Sequence, residues 1–245
     1  MDKLLYIAMT GARETSLAQA NSANNLANAK TTAFKAELAQ FRAMPVYGDG
    51  HPSRAFVMAE RPGHNFDQGS AQTTGRNLDV AISGEGWFVT QNAEGEERLT
   101  RRGDLKILPT GELVNGADNP IFGDGGPIAL PPFEKIDIAK DGTITILPLG
   151  AEETATAIVD RIRMVNPALS DLEKDTNGLF RSREGNPFVA DAAVSLQSGA
   201  LESSNVSVVG ELTNMINLSR QYEVQVKLMA SVEENGQVLD RLLQP

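Results

Sequence analysis

The sequence predicts a mainly β protein in which a small antiparallel β domain is flanked by an N-terminal and a C-terminal α-helix. Three observations predict this fold class. Apolar residues recur every three to four positions at both ends of the chain, and they alternate with polar residues between Gly75 and Gly199. Turn-forming pairs such as Asp141-Gly142 separate the short alternating runs. Short strands joined by tight turns pair antiparallel, and the two helices are then expected to lie outside the sheets.

The closing segment predicts the longer helix. From Val208 onward the apolar residues follow steps of three and four, which places them on one helical face for roughly ten turns. Two consecutive three-residue steps around Met229 are typical of a stammer in a coiled-coil seam. Ser207 is a suitable N-cap, so the helix is expected to begin close to it. We therefore predict an assembly interface on this helix, formed by Val208, Leu212, Met215, Tyr222, Val226, Met229, Val232 and Leu239.

The opening segment predicts a second helix with the same period and a weaker apolar face. Its other face carries four asparagines, a residue type that is poor in helix interiors. The asparagines indicate either hydrogen bonding to neighbouring chains, as a buried Asn fixes register in a coiled coil, or a fraying helix end with cap-type residues. Spacing does not separate the two alternatives. The predicted assembly interface of this helix comprises Leu5, Met9, Ala12, Asn21, Asn24, Asn25, Leu26 and Asn28.

Composition excludes several classes of function. The 245 residues carry 32 acidic and 22 basic side chains, a formal net charge of −10, which argues against nucleic acid as a partner. Cysteine is absent, which removes disulfides and thiolate metal sites. No apolar run approaches the length of a membrane span, so we expect no direct membrane insertion. The short apolar run Leu4 to Met9 does not form a secretory signal, and we expect no cleaved signal peptide.

The chain carries no recognisable catalytic constellation. Its two histidines, His51 and His64, lie in a Pro/Gly-containing stretch without a carboxylate cluster of ligand spacing, so both are interpreted as solvated loop residues. A Gly-x-Ser-x-Gly elbow is missing, and Gly123 to Gly126 lacks the Lys-Ser/Thr of a phosphate loop. We therefore predict a protein that assembles with others and is not an enzyme, with no metal and no cofactor.

Changes in pattern divide the chain into four expected segments. Residues 1–35 are predicted as the N-terminal helix and residues 36–75 as an extended linker. Residues 76–200 are predicted as the β domain, with strands around Val80, Ile136 and Ile144 and a further run from Ile158 to Met164. Residues 201–245 are predicted as the C-terminal helix.

Three stretches of the chain carry a family resemblance. Residues 23–29 (ANNLANA) followed by 31–35 (TTAFK) resemble the N-terminal signature of bacterial flagellar rod and hook proteins, with Ala33 where the family usually has Gly. The second stretch is formed by residues 74–88 (TGRNLDVAISGEGWF), 99–103 (LTRRG) and 110–114 (TGELV). The third is formed by residues 199–206 (GALESSNV), with Met215-Ile216 and residues 220–223 (RQYE). They stand in the family order and span nearly the whole chain.

The resemblance implies a structural subunit of the flagellar basal-body rod, similar to the proximal-rod members of the family. It implies that the terminal helices pair into a coiled-coil-like inner-tube domain, with the β domain outside it. The implied partners are copies of the same chain, the proximal-rod proteins FlgB and FlgC, the distal-rod protein FlgG and the flagellar export apparatus. The implied location is the rod, which spans the periplasm and transmits torque for motility.

Two alternatives remain at this stage. Within the same family, the chain could be a distal-rod or hook subunit. In a different class, it could be a β-sandwich module that binds carbohydrate or peptidoglycan, with a helical oligomerisation tail. An aromatic-lined groove would favour the second alternative, although one Trp and three Tyr in the whole chain supply little material for such a groove.

Overall fold

The structure, a computed structural model, describes residues 2–45, 55–60, 63–152, 155–175 and 177–243. It is mainly β, with helix α1 (Asp2–Ala27) near one end of the chain and helix α2 (Val208–Leu243) near the other. The predicted combination of small antiparallel sheets and two terminal helices is confirmed. The described residues form two compact units: a helical unit from residues 1–29, 35–65 and 206–245, and a β unit from residues 30–34 and 66–205.

The helical unit contains α1, α2 and a two-stranded antiparallel ladder. Strand β1 (Gln40–Pro45) pairs with strand β2 (Ala55–Glu60), and β2 contacts α1. Helix α2 begins directly after Ser207, whose hydroxyl accepts the backbone N–H of Gly210 at 3.3 Å. This bond satisfies one of the amide groups that have no partner at a helix start, so Ser207 is the N-cap that the sequence predicts.

The described part of the β unit contains sixteen short strands. The first eight are β3 (Ala71–Thr73), β4 (Val80–Ser83), β5 (Trp87–Gln91), β6 (Glu97–Thr100), β7 (Leu105–Ile107), β8 (Leu113–Asn115), β9 (Phe122–Gly123) and β10 (Gly126–Pro127). The others are β11 (Phe133–Ile138), β12 (Thr143–Pro148), β13 (Ala157–Arg161), β14 (Met164–Val165), β15 (Leu172–Lys174), β16 (Phe180–Ser182), β17 (Ser195–Ser198) and β18 (Ala200–Glu202). A single 3₁₀ turn, Leu169–Asp171, precedes β15.

These strands form two larger sheets and four pairs, all antiparallel. The larger sheets have the orders β14-β5-β6-β16-β15 and β11-β12-β13. The pairs are β3-β18, β4-β17, β7-β8 and β9-β10. The unit therefore joins strands that are distant in sequence, such as β3 with β18, to neighbours joined by tight turns, such as β11 with β12.

Apolar side chains from these sheets form two buried clusters. The larger one collects aliphatic residues, among them Leu113, Ile128 and Ile144, which are fully buried. The smaller one is aromatic: the rings of Trp87 and Phe180 lie 4.7 Å apart between centroids, in a tilted arrangement. Burial of this apolar area is the dominant favourable contribution to the stability of the β unit.

The alternating runs form strands where the sequence predicts them, with one correction. The Asp141-Gly142 turn joins β11 to β12, with Gly142 at φ +86°. Hydrogen bonds from the hydroxyl and the N–H of Thr143 hold the pKa of Asp141 below its usual range.

The run from Ile158 to Met164, predicted as one strand with one buried side, is divided between β13 and β14. Ile158 is 75% exposed while Met164 is buried, because the chain changes sheets after Arg161.

Among the helices described, neither α1 nor α2 has the length and apolarity needed to cross a lipid bilayer.

Candidate assembly interface

The contact between α1 and α2 is made by small and polar side chains. The buried side chains of α1 are Ala8, Ala12, Glu14, Thr15, Ala18, Asn21, Ser22 and Asn25. Their spacing of three and four residues places most of them on one helical face. Within the described part of the helical unit, Leu218 is the one large apolar side chain that is buried. The subunit therefore holds its two helices together without a large apolar core.

A hydrogen-bonded cluster joins the C-terminal half of α1 to the first turns of α2. The carboxylate of Glu211 accepts the hydroxyl of Ser22 at 2.7 Å and the side-chain amide of Asn25 at 3.0 Å. Asn214 donates its side-chain amide to the Ser22 hydroxyl at 2.8 Å. Because Glu211 is charged and partly buried, these bonds are stronger than those between neutral groups. We call Ser22, Asn25, Glu211 and Asn214 the polar seam.

Asn25 also pairs with the backbone of Glu37 in the manner of a peptide group. Its side-chain oxygen accepts the Glu37 N–H at 2.9 Å, and its side-chain nitrogen donates to the Glu37 carbonyl at 3.0 Å. The amide of Asn25 is therefore used on both sides, by α2 and by the chain that follows α1. A short aliphatic side chain at this position would leave these buried polar groups unsatisfied.

A second point of contact lies further along both helices. The hydroxyl of Thr15 and the side-chain amide of Gln225 are 3.3 Å apart. A Cβ atom on Gly11 would lie 2.9 Å from the same amide nitrogen, so Gly11 allows a close approach there. Since Ser22 meets the start of α2 and Thr15 meets its middle, the two helices run antiparallel.

The four asparagines of the opening segment do not share one role. Asn25 is hydrogen-bonded within the subunit, to Glu37 and Glu211. This differs from both predicted alternatives, which were bonding to neighbouring chains and a fraying helix end. Asn21 is also buried. Asn28 follows the last residue of α1 and donates its side-chain amide to the Asn24 carbonyl at 3.0 Å, as a cap-type residue does. Asn24 is exposed on the surface of the subunit.

The apolar residues predicted for assembly are mostly exposed in the subunit. The exposed ones are Leu5, Met9, Val208, Leu212, Tyr222 and Val226, each between 41% and 53% accessible. Leu26, Met215, Met229 and Val232 are half-buried, and Ala12 is buried. The backbone of Leu239 belongs to α2, but its side chain lies outside the described residues.

Further exposed apolar side chains lie beside the predicted stripe. They are Leu4, Tyr6 and Leu17 on α1, and Val209, Ile216, Val224, Leu228 and Val238 on α2. The sequence interpretation followed one apolar line along α2 and missed these residues, although a helix that is apolar on several faces is itself a sign of burial by other chains. Contiguous exposed apolar side chains are typical of surfaces that bind other proteins.

One groove of the β unit bears on the alternative of a carbohydrate-binding module. A groove of about 410 Å³ is lined by residues that include Val165, Leu172 and Asp191, and Phe188 is its one aromatic lining residue. Trp87, the single Trp of the chain, is 2% exposed and belongs to the core. This groove is therefore not the aromatic-lined groove that a carbohydrate-binding module needs.

The described residues can also be compared with the requirements of a metal site. Across the described ranges, no group of three or more His, Asp or Glu side chains has an arrangement that could hold a metal ion. His51 lies outside the described residues, and His64 is partly buried beside Glu37 in a short antiparallel bridge.

Two family models match separate parts of the chain. The model described as flagellar hook protein FlgE/F/G D1 domain matches residues 81–146, which belong to the β unit. The model described as flagellar basal body rod FlgEFG protein C-terminal matches residues 197–242, which include nearly all of α2.

Whole-chain relatives distinguish between the members of this family. The flagellar basal-body rod protein FlgF of Salmonella typhimurium is 40% identical to this chain, and the FlgF protein of Escherichia coli is 39% identical, each over 99% of both chains. The FlgG protein of Buchnera aphidicola subsp. Schizaphis graminum is 28% identical over 98% of both chains. The chain therefore belongs to the FlgF family of flagellar basal-body rod proteins, and it is a structural subunit of the rod and not an enzyme.

Proposed function

We propose that the chain is built into the rod through the apolar faces that α1 and α2 leave exposed, forming a coiled-coil-like inner tube with the β unit outside it. The observation that carries this proposal is that the helices use different side chains for the contact within the subunit and for the surface they leave exposed. The polar seam and the small residues of α1 join the helices within one subunit, while side chains such as Leu212 and Val226 remain about two-fifths exposed. Contact with neighbouring helices would remove this apolar area from water.

The energetic gain from such contacts is substantial when summed over several residues. Burying apolar area contributes about 25 cal/mol per Å², and a fully buried Leu, Val or Met side chain contributes roughly 1.5 to 3 kcal/mol. Each exposed residue of the two faces would contribute part of that range. A row of such residues along two long helices supplies enough free energy to order them against other subunits.

The family relation supports the partners. Assembly with other rod components such as FlgG follows from membership in the rod and hook family. The finer proposal is that the neighbours are copies of this chain, FlgB, FlgC and FlgG, and that the rod containing them spans the periplasm. Asn24, exposed on α1, is available for hydrogen bonds to a neighbouring helix.

The route to that location is part of the proposal. The chain would be exported by the flagellar type III apparatus without a cleaved signal peptide, unfolded during passage. The absence of Cys from the sequence suits this route, because no disulfide has to form before or after export.

The decisive variant is Val226→Asp. Val226 is exposed in the subunit, so an aspartate is tolerated there before assembly, whereas an unpaired carboxylate enclosed between neighbouring helices is costly. We expect the variant to be secreted at the parental level and to show unchanged fluorescence of Trp87 in the β unit. A strain that carries only this variant should be non-motile and should lack completed rods.

The matched control is Glu234→Lys, a charge change at an exposed position of the same helix that lies off the predicted stripe through Leu212, Tyr222 and Val226. This strain should swim normally. Normal swimming by the Val226→Asp strain would show that the proposed face is not the assembly seam.

A further inference from the structure

The segments that connect the β unit to the helical unit are bonded to one another inside the β unit. The chain passes from one unit to the other after Ala29, Phe34, Asn65 and Asn205. On the β side of these junctions lie residues 30–34, 66–70 and 202–205, which we call the crossing segments. Segments 30–34 and 202–205 overlap the family motifs, and segment 66–70 directly precedes β3.

Backbone hydrogen bonds connect each crossing segment to another. The N–H of Ala33 donates to the Glu202 carbonyl at 2.8 Å, and the N–H of Asn205 donates to the Phe34 carbonyl at 3.2 Å. The N–H of Ser203 donates to the Ser70 carbonyl at 2.9 Å, which extends the ladder of β3 and β18 by one step. Segment 202–205 is therefore the central one, bonded to both of the others.

A buried ion pair lies under this central segment. The guanidinium of Arg101 donates through Nε to one carboxylate oxygen of Glu202 at 2.6 Å, and both side chains are 4% exposed. The other carboxylate oxygen accepts the backbone N–H of Gly69 at 3.1 Å. One side chain, Glu202, thus contacts the middle of segment 66–70 and the β core at the same time.

Arg101 is fixed to the core by its remaining donors. Its two terminal nitrogens donate to the carbonyls of Gly86 at 2.8 Å and Gly84 at 3.0 Å. Its guanidinium carbon also lies 5.9 Å from the ring centroid of Trp87, within the range of a cation–π contact. The pair is therefore a direct link from the aromatic cluster of the β unit to its crossing segments.

Gly69 allows segments 66–70 and 202–205 to approach closely. A Cβ atom at this position would lie 1.9 Å from the Ser203 carbonyl oxygen, far inside contact distance and against the backbone, which has little freedom to move. Any larger residue at position 69 must push the two segments apart.

We propose that Arg101 and Glu202 form a positioning pair that clamps the crossing segments to the core of the β unit, so that torque reaching these segments is delivered to a rigid base. The transmission of torque depends on the proposed function above. The contact between Arg101, Glu202 and the crossing segments is a property of the isolated chain.

Three variants of the full chain test the clamp. Arg101→Met leaves the carboxylate of Glu202 buried without its partner and is expected to lower the thermal midpoint of the β unit. The double variant Arg101→Met/Glu202→Leu replaces the pair by apolar side chains of similar size and is expected to restore that midpoint. Gly69→Ala leaves the ion pair in place and separates segments 66–70 and 202–205 directly.

The readout is hydrogen exchange of backbone amides in each full-length variant. In the double variant and in Gly69→Ala, we expect the amides of Ala33, Gly69 and Ser203 to exchange about tenfold faster than in the parent. The amides of β5 and β6 should keep the parental rate. The Gly69 amide loses its acceptor in the double variant in either case. The decisive amides are those of Ala33 and Ser203, whose backbone acceptors are kept. A pair that only fills the core would give parental exchange at these two positions once the midpoint is restored, and this result would overturn the proposal.

Asp104→Asn is the matched control, because it removes a charge paired with Arg102 in the same unit but away from the crossing segments. It should leave exchange at Ala33, Gly69 and Ser203 unchanged. The torque clause is tested by swimming: the double variant should assemble rods and swim more slowly than the parent. Normal swimming with loosened segments overturns that clause, while the exchange result stands independently of whether the chain acts in the rod.

Discussion

The two units of the subunit place their apolar side chains in opposite ways. In the β unit, large residues such as Leu99, Leu113 and Ile144 are fully buried. In the helical unit, the buried side chains are mostly small or polar. All but four of the large apolar side chains that are exposed in the described part of the chain belong to the helical unit; the four exceptions are Leu149, Ile158, Leu169 and Val189.

The two distributions of apolar side chains indicate where each unit obtains its stability. We expect the β unit to be stable by itself, since the members of its two apolar clusters all belong to this unit. The helices are held by a few hydrogen bonds, each of which contributes about 1 kcal/mol net. Long helices with exposed apolar faces are therefore expected to gain most of their order from the subunits that cover them.

The largest expected effect comes from the same substitution made in each unit. Leu99→Ala should lower the free energy of unfolding of the β unit by about 3 kcal/mol, because it opens a cavity at a fully buried position. Leu212→Ala should change it by less than about 0.5 kcal/mol, since Leu212 is 44% exposed, but should impair rod assembly. Urea unfolding followed by Trp87 fluorescence measures both values.

Equal losses of stability in these two variants would contradict the distinction between the units. Normal swimming by the Leu212→Ala strain would weaken the role given to the exposed face of α2.

A smaller effect is expected at the polar seam. Glu211→Ala removes the acceptor of Ser22 and Asn25, which leaves buried donors unpaired at a cost of roughly 1 to 3 kcal/mol to the helix pair. Limited proteolysis of the full chain should cleave α1 and α2 faster in this variant, with the β unit unaffected. Glu223→Ala, at an exposed position of α2, is the control and should keep the parental cleavage pattern.

The smallest effect is expected at Ala33, where the backbone has φ +55°. This left-handed conformation costs a non-Gly residue about 1 to 2 kcal/mol. Ala33→Gly removes the strain but loses a buried methyl group and adds freedom to the unfolded chain. The free energy of unfolding should therefore change by less than about 0.5 kcal/mol.

Ala81→Gly provides the comparison for Ala33→Gly. Ala81 is buried in β4 and is not among the residues with positive φ, so its loss has no compensation and should cost about 1 to 1.5 kcal/mol. Equal destabilisation by the two substitutions would show that Ala33 carries no strain.

Local patterns in the sequence predicted much of this architecture. Alternation predicted the strands around Ile136 and Ile144, because the apolar side chains of β11 and β12 alternate with more exposed ones. It also predicted the strand around Val80, although β4 is buried on both faces. Ser207 marked the start of α2 through its capping chemistry. The departure at Ala33 was visible only through the family resemblance, and the structure shows why the family usually has Gly there: the turn requires positive φ.

Contacts between distant residues were not predictable from these patterns. Arg101 and Glu202 are 101 positions apart, and Asn25 and Glu211 are 186 positions apart. No periodicity relates such partners, because the fold alone brings them together. The polar seam was missed for a second reason: the sequence interpretation searched the helices for apolar contacts, whereas the contact within the subunit uses small and polar side chains.

The most direct test of the central claim is hydrogen exchange of the isolated full-length subunit. We predict that the amides of α1 and α2 exchange at least about 100-fold faster than those of β5, β6 and β12, because the helices lack the neighbours that would cover their apolar faces. In assembled rods the same helix amides should become protected. Equal protection of the helices and the β strands in the isolated subunit would contradict the claim that assembly orders the helical unit.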